Sequence, residues 1–183
     1  ALRLADVKSD LRRVAARRRF LEAAERVAAA SEARVRGRVP IRVDLPKREI
    51  RWYAPHVLKE LGGLREEIRA VTPFADRRAL AMVFSSIVVK VSRQRADTAE
   101  RVAEKRIRKG LATELFLRKA KELERRWAAL AAVGTGPRPK LLEGDARGAP
   151  RSLRGRRVDL VLTSPPYGGT YDYAAHHARR LAW

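Results

Sequence analysis

The residues best suited to chemistry stand at Ser164-Pro165-Pro166-Tyr167, where an apolar run, Val158-Asp159-Leu160-Val161-Leu162, comes to a stop. Ser164 offers a hydroxyl and Pro165 a carbonyl, two acceptors that the fixed φ angles of consecutive prolines hold still. Tyr167 adds an aromatic face on which a planar ring can stack, a contact worth roughly 1–3 kcal/mol per base. Acceptors aimed at charge that develops during a reaction are worth roughly 3–4 kcal/mol each in comparable sites. The elements that must position them are short. The Val and Leu run predicts a buried strand, because proline has no N–H for a ladder and must lie beyond the strand end. Lys140-Leu-Leu-Glu-Gly-Asp-Ala146 predicts a second strand that ends at Gly144-Asp145. Two strand ends would then share a carboxyl edge, the rim where open α/β sheets bind ligands. Taken alone, the Pro-Pro step is equally an ordinary proline turn, and Asp145 equally a turn residue.

The combination of Gly144-Asp145, a spacer, an apolar strand and Thr163-Ser164-Pro165-Pro166-Tyr167 resembles the amino-group DNA methyltransferases, whose catalytic motif is Ser, Asp or Asn followed by Pro-Pro and an aromatic. The resemblance implies an α/β, Rossmann-like S-adenosylmethionine-dependent fold, only partly present here and carrying a large helical insert. It implies Ser164, Pro165, Pro166 and Tyr167 as catalytic residues, Asp145 as a contact to S-adenosylmethionine, and double-stranded DNA as partner, in a restriction-modification setting. The product would be N4-methylcytosine or N6-methyladenine; the serine form resembles the N4-cytosine branch more. The chemistry suits the residues. An exocyclic amine is a poor nucleophile because its lone pair is delocalised into the ring, so acceptors must draw its hydrogens and favour a pyramidal nitrogen. Its base must first leave the duplex stack. Tyr171 and Tyr173 resemble the aromatic pair that follows this motif in relatives, while Phe84-Ser-Ser-Ile and Lys90-Val-Ser resemble a segment that would bring Lys90, Arg93 and Arg95 near DNA. RNA or protein amides are alternative substrates, and a non-catalytic, basic, helical nucleic-acid-binding module is an alternative of another class.

The family's glycine-rich cofactor loop does not occur in these 183 residues, although Leu2 to Ser9 resembles the helix that follows it. A fragment is therefore expected, inactive on its own, with residues 1–136 as a basic helical insert and 137–183 as part of the catalytic domain. A net charge of +21 favours a polyanionic partner, since each phosphate neutralised by Lys or Arg releases a counterion. Arginine-rich, solvated helix faces account for the charge as readily. No cysteine is present, which excludes a disulfide framework and thiolate metal sites and agrees with a cytoplasmic protein. No apolar run is long enough for a membrane span. Adjacent His176 and His177 point apart on a helix, so no metal is expected.

Along the chain, helical spacing predicts one helix from Leu2 to about Val35, with Ser9 as N-cap and Leu11, Val14, Ala15, Phe20, Leu21, Ala24 and Val27 on its apolar face. Arg12, Arg13, Arg17, Arg18 and Arg19 crowd the other face, either to meet phosphates or simply to be solvated. Residues 37–49 read as a linker or edge segment. A helix follows through Ala70, with Pro55 in its first turn and Gly62-Gly63 marking a kink or a close contact. Trp52 and Tyr53 fit core packing better than base stacking. A buried helix runs from Thr72-Pro73 with Phe74, Leu80, Met82, Val83, Phe84, Ile87, Val88 and Val91 as its apolar set. Residues 96–109 read as a mobile loop or exposed helix. Leu111 to Val133 is amphipathic, with Trp127 in the core, and Asp172 suits the N-cap of a final helix.

Overall fold

In a computed structural model the chain is described at residues 2–10, 12–94, 102–134, 139–148, 153, 155, 157–163 and 172–183. The described residues form helices α1 (Leu2–Lys8), α2 (Val14–Arg36), α3 (Lys47–Ile50), α4 (Pro55–Arg69), α5 (Phe74–Val88), α6 (Leu111–Val133) and α7 (Tyr173–Ala182), with a 3₁₀ turn at Ala146–Gly148. Among them there is no strand, which overturns the expected α/β, Rossmann-like fold.

The reason lies in what a strand needs. Leu160, Val161 and Leu162 belong to no helix or strand and are 80%, 79% and 93% exposed, and Lys140 to Asp145 is exposed throughout. A helix closes its hydrogen bonds internally, whereas a strand needs a neighbour, and two short strands alone are marginal. The rest of the described chain forms no strand for them to join.

The helices close around α2, which packs on α4 and α6, while α5 packs on α4 and α6. Alanine, the best helix former, fills the side of α2 that meets its neighbours: Phe20, Ala23, Ala24, Val27, Ala28 and Ser31 are buried. Small residues let α4 approach. A methyl placed at Gly62 would lie 2.5 Å from Ile41 Cγ2, and one at Gly63 would lie 2.6 Å from Ser31 Oγ. The glycine pair therefore marks a close contact. The 37–49 segment supplies one side of it, with Leu45 buried and Ile41 and Val43 half-buried between exposed Arg42 and Asp44.

The first helix is not continuous. Ser9 ends α1, its hydroxyl donating to the Ala5 carbonyl at 2.8 Å, and α2 begins at Val14 with no side-chain cap. Val14 and Ala15 face solvent. The turn exists to bury Arg12, whose guanidinium donates to Asp76 and to the Ala75 carbonyl (2.9 Å) and lies 4.3 Å from the Trp127 ring centre. Asp76 is fully buried in the first turn of α5, where the helix dipole favours a carboxylate, and it also accepts from Arg19 at 2.8 Å. Trp127 meets Phe20 edge to face at 4.9 Å and donates its N–H to the Val7 carbonyl at 2.7 Å, so it is core as expected.

Candidate nucleic-acid interface

Helix α6 is positioned from a distance. Gly110, at φ +81°, turns the chain into it, and the buried Glu60 carboxylate of α4 accepts from the Gly110 N–H (2.7 Å) and the Ala112 N–H (3.2 Å). A carboxylate at a helix N-terminus satisfies donors that have no partner within the helix. With its inner face fixed by Leu115, Phe116, Ala120 and Trp127, the outer face of α6 must present Arg118, Lys121 and Arg125 to solvent.

This face meets the turn after α5 in a concavity of about 560 Å³, lined by Lys90, Arg118, Lys119, Glu122, Arg125 and Arg126. Glu122 is its one carboxylate among the described residues, pairing with Lys119 and with Arg126 at 2.6 Å. Hydrogen bonding from Lys119 holds the Glu122 carboxyl below its usual range. Partial burial and then the charge of Lys119 push the Lys90 ammonium below the usual lysine range. An anion in the concavity would relieve that crowding. Arg118 and Arg125 lie seven residues apart, about 10 Å along the helix, which matches about three base-pair rises of a phosphate strand.

Of the residues singled out in the sequence, Lys90 and Arg93 are brought to the same end of α5. The Arg93 backbone is pinned, its N–H donating to the Trp52 carbonyl at 2.7 Å and its carbonyl accepting from the Ala103 N–H at 3.0 Å. Arg95, Ser164, Pro165, Pro166, Tyr167 and Tyr171 lie outside the described residues. Tyr173 opens α7, with its side chain outside the described set. Asp145 is exposed and bound locally, accepting from the Arg147 backbone N–H at 2.9 Å and from its guanidinium at 3.0 Å. Those bonds hold its carboxyl below the usual range. The exposed strip around Asp145 encloses nothing, so the described residues do not form a cradle that fits S-adenosylmethionine.

The arginine face of α2 is mostly spent internally. Arg12 and Arg19 hold Asp76, and Arg17 pairs with Glu124 at 3.1 Å, leaving Arg13 and Arg18 exposed. Arg118 and Arg125 were missed in the sequence, although their one-sided spacing along α6 was a readable signal.

Helix α7 docks on the body. Asp172 caps α7 as expected, accepting from the Ala174 and Ala175 N–H groups at 3.0 Å. Arg179 lies 4.0 Å from the Trp52 ring centre and 3.8 Å from Glu49, and Trp183 meets Tyr53 and Phe84 edge to face at 5.9 and 5.7 Å. Trp52 and Tyr53 are thus buried seats for α7, and burial keeps the Tyr53 phenol protonated well above its usual range. Among the described residues no cluster of His, Asp and Glu could hold a metal, and no helix is long and apolar enough to cross a membrane. No protein-family model, curated protein or solved structure matches the chain.

Proposed function

We propose that the chain takes part in site-specific methylation of DNA at the exocyclic amino group of a flipped base, N4 of cytosine ahead of N6 of adenine. The observation that supports this is the order Gly144-Asp145, an apolar run, then Ser164-Pro165-Pro166-Tyr167. These residues act on the acceptor side of the transfer. The Ser164 hydroxyl and Pro165 carbonyl take the hydrogens of the amine and localise its lone pair, and Tyr167 stacks on the extruded base. The cationic concavity beside Lys90 grips duplex phosphates. S-adenosylmethionine is the methyl donor this reading calls for, and the cytoplasm is its compartment.

The all-helical body and its cation-lined concavity favour a second reading, a nucleic-acid-binding module whose Pro-Pro-Tyr is a turn. Tritiated methyl transfer to duplex DNA by the complete gene product, followed by nucleoside analysis, separates the two. N4-methylcytosine that disappears in Ser164→Ala is the expected result. N6-methyladenine would keep the class and reverse the base. Unlabelled DNA despite salt-sensitive duplex binding would leave the binding module.

A further inference from the structure

Sharing no lining residue with the Lys90 concavity, a cleft of about 630 Å³ with an aromatic floor and an arginine rim is framed by α1, α4, α5 and α7. Phe74 should be core by its place in an apolar helix. Instead it is 61% exposed at the start of α5, with Arg77 and Arg78 at 5.1 and 5.6 Å from its ring centre. Met82, Phe84 and Trp183 continue the floor, and Arg65 lies 5.9 Å from the Trp183 ring centre. Arg3, Arg69 and Arg180 complete the rim. No carboxylate lines the cleft among its described residues. Asp6 pairs with Arg78 and Glu66 with Arg69, while Arg180 leans on His177 at 3.1 Å. The cleft therefore keeps an excess of positive charge beside the exposed Phe74 ring and the half-exposed Trp183.

We propose that this cleft is a second nucleic-acid site, specific for unpaired strand. Guanidinium groups beside exposed rings suit a ligand that alternates flat, stackable faces with negative charges, and a single strand does so at every nucleotide. A duplex hides its base faces, so Phe74 can gain nothing from one. The floor runs along α5 from Phe74 to Ser85, about 17 Å at the rise of a helix, long enough for a short run of nucleotides. An anionic membrane would answer the charge, but it calls for an apolar face that lies in a lipid surface rather than a concave floor walled by α7. The two cationic surfaces thus divide the work: the Lys90 concavity for paired phosphates, the Phe74 cleft for bases out of the stack.

The test is fluorescence anisotropy of the 183-residue chain with a labelled oligothymidylate and with a labelled duplex of equal length. Phe74→Ala should weaken oligothymidylate binding about tenfold, the loss of one stacked base, and leave duplex binding within about twofold. Phe74→Trp should restore it, which separates a lost ring from lost folding because Phe74 is exposed. Arg118→Gln with Arg125→Gln should do the reverse, weakening the duplex more than the oligothymidylate. Equal losses for both ligands in Phe74→Ala, or no loss for either, would overturn the proposal. So would binding to phosphatidylserine vesicles that falls in Phe74→Ala while oligothymidylate binding does not. The readout is affinity alone, so it stands or fails apart from methyl transfer.

Discussion

The helical body from α2 to α6 and the run Val158–Leu162 both carry large apolar side chains and end differently. In the body, Phe20, Leu61, Leu64, Leu80, Phe116 and Trp127 are buried to the last few per cent of their surface; in the run, Leu160, Val161 and Leu162 remain in solvent. A helix satisfies its own backbone and needs only one covered face, so a bundle of helices can close a core by itself. A strand must find backbone partners before its side chains can be covered. The described residues 157–163 thus form no element of their own, and the helices supply the core.

Removing a charge from the body should have the largest effect. Asp76→Ala removes the fully buried carboxylate shared by Arg12 and Arg19 and leaves the nearly inaccessible Arg12 with Asp10 alone, and removing one partner of a buried pair costs about 3–5 kcal/mol. Denaturant unfolding should show a loss of that size. Glu60→Ala leaves the Gly110 and Ala112 N–H groups without their distant cap, a cost of about 1–3 kcal/mol by the same measurement, together with faster amide exchange in the first turn of α6. Gly62→Ala forces a methyl against Ile41, and overpacking of about 1–3 kcal/mol should outweigh the roughly 1 kcal/mol gained in helix propensity.

Leu160→Ser should change stability by less than about 0.5 kcal/mol, because nothing in the body covers the side chain. A large loss there would mean that the run is packed. On the ligand side, Arg118→Gln with Arg125→Gln should lower the salt slope of duplex binding by about 0.9 for each phosphate that is no longer neutralised. An unchanged slope would place the duplex elsewhere on the body.

Much of the body was legible in the sequence. The helix from Leu111 to Val133, the core role of Trp127, the buried Trp52 and Tyr53 and the Asp172 cap all follow from local spacing and capping chemistry. What escaped depends on partners far along the chain. Arg12 looks like one more surface cation until Asp76 is placed beside it, and Glu60 is ordinary until α6 starts above it. The alternation Ile41-Arg42-Val43-Asp44-Leu45 was readable as an extended segment with one covered side but has meaning only against Gly62. The Val158–Leu162 run misled for a related reason. Its local pattern is that of a buried strand, and the helices give it no sheet to join. For the site, Lys90 and Arg93 were named from resemblance, whereas the partners that complete a cationic surface lie on α6, whose apolar stripe drew attention to its inner face.

Amide hydrogen exchange of the 183-residue chain tests most directly whether a closed helical body carries an unpaired segment at 157–163. The prediction is slow exchange across α2, α4, α5 and α6, where opening approaches global unfolding, and exchange near the intrinsic rate at Asp159 to Thr163. Protection at Asp159 to Thr163 comparable to that of α2 would contradict it.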